Sequence, residues 1–463
     1  MGMTNATPEL DLTLDIFGQT LVTIFTQIAF CFPISDDRRV GDILSILNKG
    51  AERVATHFPW VAGQVVCEGT GEGNTGVFKI KKLDATPRIL VKDFRSDPSA
   101  PSWDILQQSG FPMNILDENL VAPRKSNSGT PNETIAEVFQ LQATILKGGL
   151  ILTFLGQHQS MDGIGQDQVI QLFAKACRAE NFTEKELRIG NLAPENVVRL
   201  LGQSWAPGPE LEYNIIEHEM SQPSPGNSRN KMTVGKGKEL WAHFNFSASA
   251  LRTLKLHATR TLPPHSGYVS TDDTLTAFIM QSIARARLPR LSPATETLSA
   301  RAVDLRRYLD IPPTHPGFVQ SMAYHKSTMQ QVIDGPLGAI AAGLRAAIDP
   351  KTSKLAYHGR SFATLISRTP DKTTTSLLAG FDMSKDVMIN SWANQSSYQL
   401  DFGLGLGKPQ AVRRPRFDGF QGLVYFMPRT LDGDIGVAMC LNADDMEMLR
   451  ADNEFSNYAI HTG

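Results

Sequence analysis

Hydrophobic and polar positions along the chain alternate between strand-like and helix-like periods, which predicts a mixed α/β protein. The stretch from Leu150 to Leu155 is almost continuously apolar and ends at Gly156, as is typical of a buried strand. In the following segment, Gln166 to Arg178, apolar residues recur at helical spacing. Asp42 to Phe58 is predicted to form another helix, which Pro59 ends.

Two glycine-containing segments of the first half predict hairpins. Lys147-Gly148-Gly149 joins an apolar segment, Glu137 to Leu146, to the buried strand. The glycines between Gly69 and Gly76 separate the apolar runs Val61 to Cys67 and Val77 to Ile80. A glycine series can cradle phosphate, but no helix follows this one, so a hairpin turn is favoured.

The second half carries its own helix and strand signals. Ser249 to Thr259 is predicted to be a helix, and Ser270 with Asp273 forms a capping-box pattern at the start of another. Val387 to Trp392 is predicted to be a strand. The glycine-rich segment Asp401 to Lys408 lacks the glycine spacing and the Ser/Thr of a P-loop, which favours a tight turn that positions its neighbours.

The chain of 463 residues is too long for one core, and its length predicts two or three domains. Between about residues 206 and 239 the periodicity is replaced by Pro, Gly, Ser, Asn and Lys, which predicts an exposed crossover. We therefore predict a first domain over residues 1–205, a linker over 206–239 and a second domain over 240–463.

Composition excludes several functional classes. Hydrophobic residues make up 41% and charged residues 20%, and the net charge is −2, which argues against a nucleic-acid or anionic-membrane surface. The early apolar stretch Leu21 to Phe32 is too short to span a bilayer, and its alternating end predicts a strand. The chain lacks a signal-peptide pattern, and its four scattered cysteines are typical of a cytosolic protein, so we expect a cytoplasmic location.

His158 is the strongest candidate for chemistry, because it directly follows the buried strand and precedes a helix. An imidazole with a pKa near 6.5 can take and return a proton at neutral pH, and rigid elements would hold it at a cavity. Asp162 follows four residues later, before Gly163. The spacing alone is also compatible with a structural histidine. A metal site is disfavoured, because no Cys or His cluster is nearby.

Two motifs together resemble the BAHD family of CoA-dependent acyltransferases. The first is His158-x-x-x-Asp162-Gly163, and the second is Asp401-Phe402-Gly403-Leu404-Gly405, in which Leu404 replaces the Trp of the wider family. The chain is also similar, over nearly its whole length, to the fungal trichothecene 3-O-acetyltransferases within this family. The segments that carry this similarity include Pro59 to Gln64, Val269 to Asp273, Arg301 to Asp304 and Gly405 to Pro409.

The resemblance implies an α/β fold of two similar, chloramphenicol-acetyltransferase-like domains with mixed sheets and a channel between them. Acyl-CoA would enter from one face and the alcohol from the other, with His158 midway as the general base. Asn390, in Asn390-Ser391-Trp392, would donate its amide N–H to the oxyanion, although an ordinary strand residue is an equal alternative. Trp392 is a candidate substrate contact.

The resemblance further implies structural roles for the two motif aspartates. Asp162 would point away from His158 and pair with Arg306, although a catalytic dyad with His158 remains the alternative. Asp401 and Gly403 would shape the glycine turn. Ser270 and Thr271, at a helix start with free N–H groups, and Lys255 are candidate contacts to the CoA phosphates.

The implied function is acetyl transfer from acetyl-CoA to a secondary hydroxyl of a fungal metabolite, most simply the 3-hydroxyl of a trichothecene. Other terpenoid, polyketide or alkaloid alcohols remain alternatives. So does a condensation-type domain that uses a carrier-protein thioester, although that class usually has a second His where this chain has Gln157. A non-catalytic scaffold on the same fold is the third alternative. We expect a monomer with small-molecule partners and no metal, nucleic acid or membrane.

Overall fold

The computed structural model describes residues 10–83, 89–127, 135–193, 197–216 and 239–463. The predicted crossover therefore lies mostly outside the described residues, because only 206–216 and 239 of that segment belong to them. The chain is a mixed α/β protein, as predicted, with three sheets and helices packed around them.

Eight strands precede the crossover and eight follow it within the described residues. The first eight are β1 Asp11–Thr13, β2 Phe25–Pro33, β3 Gln64–Glu68, β4 Val77–Lys81, β5 Leu90–Asp93, β6 Ala136–Glu137, β7 Phe139–Leu146 and β8 Gly149–Gln157. The others are β9 Glu239–Phe246, β10 Glu296–Asp304, β11 Gln320–Thr328, β12 Val387–Ser391, β13 Ala411–Arg413, β14 Leu423–Phe426, β15 Ile435–Asn442 and β16 Ile460–His461.

The described α-helices divide in the same way. Those before the crossover are α1 Val40–His57, α2 Trp103–Gln108, α3 Glu118–Val121, α4 Gly163–Cys177 and α5 Glu184–Gly190. Those after it are α6 Ala248–Arg260, α7 Thr271–Arg287, α8 Met329–Asp334, α9 Leu337–Ile348, α10 Leu355–Arg368, α11 Ala443–Ala451 and α12 Asn453–Ser456. Short 3-10 turns include Phe17–Gln19, Pro59–Ala62 and Arg306–Tyr308.

Both predicted hairpins of the first half are confirmed. β7 and β8 pair antiparallel across the Lys147-Gly148 turn, and β3 and β4 pair antiparallel across the glycine series. The predicted strand over 61–67 begins later, at Gln64, because Pro59 opens a 3-10 turn instead. The predicted strand over 137–146 is broken at Val138, whose N–H bonds to Gly63, so its two parts join different sheets.

The three sheets differ in size and in how they combine the two halves of the chain. A four-stranded sheet has the order β1-β4-β3-β6, and a seven-stranded mixed sheet has the order β11-β10-β12-β14-β15-β9-β16. A five-stranded mixed sheet has the order β13-β2-β8-β7-β5. β13, from the second half, pairs with β2, so a segment after residue 400 completes the sheet of the first half.

The hydrophobic core likewise extends across both halves. The largest apolar cluster combines first-half residues such as Phe154 and Phe173 with Phe402, Leu404 and Val412. A second cluster fills the seven-stranded sheet and its helices. Leu211, within the predicted exposed crossover, is fully buried in a third cluster, so the expectation of exposure is wrong at this residue. The division at residues 205 and 240 stays a prediction, because core contacts cross it.

Helix α1 shows how the sequence pattern becomes packing. Its buried residues Ile43, Leu47 and Val54 recur at helical spacing, with Gly50 among them. A Cβ on Gly50 would lie 2.4 Å from the Sγ atom of Cys177 in α4, so this glycine allows the two helices to approach closely. The approach fixes α4, which begins at the last residue of the HxxxDG motif. Among the described residues, no helix is both long and apolar enough to cross a bilayer.

Candidate active site

His158 directly follows β8, in the short connection that leads to α4. Its backbone N–H donates to the carbonyl of Ile24 at 2.9 Å, which ties the residue to the strand β2 side of the sheet. Its ring meets Phe318, from the second half, edge to face at 5.1 Å between ring centres. The imidazole is thus enclosed by residues of both halves while remaining partly exposed.

The hydrogen bond of the His158 ring indicates which nitrogen is available as a base. Nδ1 lies 3.1 Å from the carbonyl oxygen of Met161, which can only accept, so we assign the proton to Nδ1. Nε2 then carries the lone pair. Burial lowers the pKa of His158 from its ordinary value, against the opposing effects of the Met161 carbonyl and the charge of Asp162. The neutral, proton-accepting form therefore predominates at neutral pH.

Asp162 pairs with Arg306, as predicted, and does not bond to the His158 ring. Arg306 Nη1 and Nη2 donate to the two carboxylate oxygens at 2.9 and 3.1 Å. The backbone N–H groups of Gly165 and Val319 each donate at 2.8 Å. Burial alone would raise the pKa of Asp162, but the Arg306 charge and these hydrogen bonds lower it below its usual value.

The same aspartate also caps helix α4. Its hydrogen bond to the Gly165 N–H satisfies one of the free donors of the first turn. Arg306 is held in turn by the carbonyls of His315 and Gly317, at 2.9 and 2.6 Å. One carboxylate therefore fixes the start of a first-half helix and a second-half loop in the same place.

The glycines of the HxxxDG segment allow the two halves to meet. A Cβ on Gly163 would lie 2.8 Å from Nε1 of Trp392, and one on Gly165 would lie 2.1 Å from the carbonyl oxygen of Pro316. Gln395 Nε2 also donates to the carbonyl of Gly163 at 2.9 Å. The turn after β12 therefore packs against the start of α4, and the ends of β12 and β8 lie close together. We call this junction, residues 158–165 with residues 390–395, the seam.

Asn390 lies on β12 near the seam and has an unused donor. Its side chain is 9% exposed, and its Nδ2 has no hydrogen-bond partner among the described residues. An unsatisfied buried N–H is rare in proteins, because it loses its hydration without compensation. The neighbouring Ser391 hydroxyl, by contrast, donates to Asp272 at the start of α7.

The predicted CoA contacts belong to α6 and to the start of α7, both in the second half. Ser270 caps α7, and its hydroxyl both donates to Asp273 at 2.7 Å and accepts from the Asp273 N–H at 3.1 Å. Thr271 is the first residue of α7 and is partly exposed. Lys255 is exposed on α6, and no side-chain bond ties it to Ser270 or Thr271 in the described part of the chain. Their role in binding CoA stays a prediction.

The first turn of α7 also carries its own charge network. Arg301 donates to Asp272 at 2.5 Å and to Asp273 at 2.8 Å, and Arg345 donates to Asp273 at 2.7 Å. Two arginines thus offset the two carboxylates at this helix start. A phosphate would meet both signs of charge here, and not the positive helix end alone.

Asp401 and Gly403 form a turn that docks on the first half, as the glycine pattern predicted. The Asp401 carboxylate accepts from the Gly403 N–H at 2.8 Å, and Gly403 has a φ of +67°. The Asp401 carbonyl accepts from Arg178, which follows α4. Phe402 is fully buried against Phe154, so the turn is anchored to the core of the first half.

Trp392 is buried with Tyr425 and Arg414, and its predicted contact with substrate stays a prediction. Two other residues near the site, Asp15 and His315, carry no sequence signal. Behind the ion pair, Asp15 and His315 line a cavity of about 220 Å³. Burial raises the pKa of Asp15 to about 8 and lowers the pKa of His315 to about 4, so both are mostly neutral at pH 7.

Comparisons with known proteins agree with this geometry. A profile of the Trichothecene 3-O-acetyltransferase-like N-terminal domain matches residues 24–177, and one of the Transferase family matches residues 118–456. An O-acetyltransferase of Cryptosporiopsis sp. is 46% identical, with 98% of each chain covered. The trichothecene 3-O-acetyltransferase of Fusarium sporotrichioides is 44% identical, with 100% of each chain covered.

A solved structure extends the comparison to three dimensions. The crystal structure of F. graminearum TRI101 with coenzyme A and deoxynivalenol superposes with a TM-score of 0.92 at 41% identity. The match covers 98% of this chain and 100% of the other. The same fold and nearly the same length are thus shared throughout.

We predict that His158→Ala leaves a folded protein whose turnover falls at least about 10²-fold, because the proton acceptor is lost. In the wild type, activity should fall as the pH drops through the pKa of His158, with a midpoint below about 6.5 because burial lowers that pKa. A pH profile of kcat/KM measures this. His57→Ala, at an exposed position of α1, is the matched control. Near-normal turnover of His158→Ala would refute the assignment.

We predict that Asp162→Ala lowers the free energy of unfolding by about 3–5 kcal/mol, because it removes the buried partner of Arg306 and leaves that arginine only the more exposed carboxylate of Asp304. Urea denaturation of the variant and the wild type measures the difference. Asp36→Ala removes a surface aspartate paired with the exposed Arg38 and should change the free energy of unfolding far less. Unchanged stability of Asp162→Ala would contradict the structural role.

We predict that Asn390→Ala lowers kcat by about 10²–10³-fold, as expected for one oxyanion donor, with little change in stability. Stability should hold because the Nδ2 group has no described partner to lose. Asn390→Ser keeps a donor and should recover part of the rate. Steady-state kinetics with both variants decide the matter: equal rates for Ala and Ser, both near wild type, would rule out the oxyanion role.

Proposed function

Because the chain belongs to the Transferase family and is an acyl-CoA-dependent O-acyltransferase, we propose that it acetylates a secondary hydroxyl of a fungal metabolite, with the 3-hydroxyl of a trichothecene as the first candidate. The observation that carries the proposal is the partly buried His158, whose Nδ1 bonds to Met161 and so leaves Nε2 to act as the base. Acetyl-CoA is the acyl donor. The enzyme acts as a cytoplasmic monomer on small molecules.

The reaction proceeds through a ternary complex. His158 Nε2 accepts the proton of the acceptor hydroxyl as its oxygen attacks the acetyl carbonyl carbon. Asn390 Nδ2 donates a hydrogen bond to the tetrahedral oxyanion, whose collapse breaks the carbon–sulfur bond. The departing CoA thiolate takes the proton from His158, which restores the neutral imidazole. No acyl-enzyme is formed, because no nucleophilic side chain is needed.

The partition of roles between His158 and Asp162 suits this chemistry. A catalytic base must be neutral before the reaction and must tolerate a transient positive charge. The Asp162 carboxylate lies close enough to favour that charge electrostatically, although Arg306 takes its hydrogen bonds. Burial and the carboxylate therefore act in opposite directions on the same ring, and burial prevails in the resting enzyme.

Donor binding is assigned to the second half. In this proposal, the start of α7 at Ser270 and Thr271 binds a CoA phosphate, and Lys255 supplies a further positive charge. The pantetheine arm then runs inward to the seam at Asn390. Ser391 joins the two regions, because its hydroxyl bonds to Asp272 beside the helix start.

A different alcohol is the main second candidate for the acceptor. The relative from Cryptosporiopsis sp. is named only as an O-acetyltransferase, and it is slightly more similar than the trichothecene enzyme from F. sporotrichioides. A carrier-protein donor is disfavoured, because Gln157 stands immediately before the catalytic histidine. The Gln157 side chain is buried and bonded to Gln159 at 3.0 Å.

We predict that the protein with acetyl-CoA converts deoxynivalenol to a product heavier by one acetyl group, with one free thiol released per product. Mass spectrometry measures the product, and thiol detection measures the released CoA. His158→Ala is the control that should bind CoA without turnover.

We also predict that CoA binding, measured by calorimetric titration, weakens as the salt concentration rises, because the proposed phosphate contacts are partly exposed. If the wild-type protein does not bind CoA, the assignment of acetyl-CoA as the donor is refuted. If thiol is released only with other alcohols, the assignment of a trichothecene as the acceptor is refuted.

A further inference from the structure

Arg414 is a buried arginine without a hydrogen-bond partner. It follows β13, its side chain is 1% exposed, and none of its three guanidinium nitrogens has a partner among the described residues. The two other arginines that are as deeply buried behave differently. Arg306 bonds to Asp162, and Arg287 bonds to Asp445 and to two backbone carbonyls. A buried charge without a partner is costly, so its presence calls for a function.

Aromatic rings surround the Arg414 guanidinium and leave its donors free. Its central carbon lies 4.1 Å from the ring centre of Phe417, 4.7 Å from that of Tyr425 and 5.8 Å from that of Trp392. Ring faces attract the cation but accept no strong hydrogen bond in the plane of the guanidinium. The box therefore holds the group in position with its N–H donors unused.

The aromatic box lies beside the catalytic groups. Tyr425 is the register partner of Asn390 in neighbouring parallel strands, so their side chains stand next to each other on one face of the sheet. Trp392 reaches the first turn of α4 at Gly163. The positive charge of Arg414 also acts on His158 and lowers the pKa of its imidazole. Arg414 thus belongs to the seam.

Within the described part of the chain, no carboxylate hydrogen-bonds to Arg414. Glu118 acts on it electrostatically, but its Oε2 accepts from Gln27 at 3.2 Å and from the Ser126 N–H at 2.7 Å. On the opposite side of Asn390, Ser391 and Asp272 lead to the region assigned to CoA. The rings around Arg414, by contrast, belong to the apolar cluster that contains most of the first-half core.

We propose that Arg414 binds an oxygen acceptor, a carbonyl or carboxylate group, of the acceptor alcohol and so turns its hydroxyl toward His158. The inference rests on the proposed function, because it assigns a contact within the same reaction. A planar guanidinium can present two parallel N–H groups to such an oxygen, which fixes orientation as well as position. Arg414 is therefore a specificity-determining residue for the alcohol, and CoA does not contact it.

The test compares Arg414→Met, Arg414→Lys and the control Arg416→Met. Methionine fills a similar volume without charge, so the thermal midpoint of Arg414→Met should equal or exceed that of the wild type. Arg416 is exposed in the same segment and pairs with Asp117, so its replacement should leave kinetics unchanged. The acceptor is deoxynivalenol, and the donor is acetyl-CoA.

We expect Arg414→Met to raise the KM for deoxynivalenol, or lower kcat/KM, by about 10–10²-fold, with an unchanged Kd for CoA by calorimetry. Arg414→Lys should lie between, because it keeps the charge but loses the planar fork. If Arg414→Met binds CoA more weakly than the wild type does, Arg414 contacts the donor and not the alcohol, and the inference is overturned. So would a lowered thermal midpoint, which marks a structural role.

The inference and the proposed function fail in different ways. If the wild-type protein does not acetylate deoxynivalenol, the proposed trichothecene acceptor is wrong. The Kd for CoA and the thermal midpoint of Arg414→Met then still show whether Arg414 contacts the donor or has a structural role. A wild-type protein that turns over, together with unchanged kinetics in Arg414→Met, contradicts the inference alone.

Discussion

The ion pair between Asp162 and Arg306 is the interaction on which the site depends. Both side chains are almost fully buried, and each makes several further hydrogen bonds. Arg306 occupies both oxygens of the Asp162 carboxylate, which the sequence spacing alone could place in a catalytic dyad with His158. His158 instead orients itself on the backbone carbonyl of Met161, which leaves Nε2 free. A structural bond thus determines which ring nitrogen of His158 is available as the proposed base.

The same constraint extends to the way in which the two halves meet. The glycines after the histidine admit Trp392 and Pro316 at distances that no side chain would allow, and β13 completes the sheet of the first half. The core is continuous across this junction. Because the proposed catalytic groups, His158 and Asn390, come from both halves, their relative position depends on packing and not on one rigid element. Asn390 and Arg414 lie at this junction with donors that have no partner among the described residues.

Local patterns in the sequence were sufficient for much of the fold. The two hairpins, helix α1, the capping box at Ser270 and the turn at Asp401 all follow from spacing and from glycine or proline chemistry. The histidine was recognisable from its place between a strand and a helix. The Asp162–Arg306 pair came from family resemblance, since nothing in the spacing connects two residues so distant along the chain.

Other features depend on long-range packing and leave no local trace. The break at Val138, which divides one predicted strand between two sheets, is visible only when Gly63 is placed beside it. Arg414 belongs to a stretch with several arginines, and the sequence does not tell which of them is buried. The burial of Leu211 within a proline-rich segment is of the same kind.

The central claim is that Asp162 acts through Arg306 and not as a dyad partner of His158. The most direct test measures single-turnover rates of Asp162→Ala, Arg306→Met and the double variant, each at a temperature where it is folded. The account predicts that Arg306→Met, although it does not touch the histidine, loses about as much activity as Asp162→Ala, and that the double variant is no worse than either. A folded Arg306→Met with near-wild-type rate, beside an inactive Asp162→Ala, would contradict it.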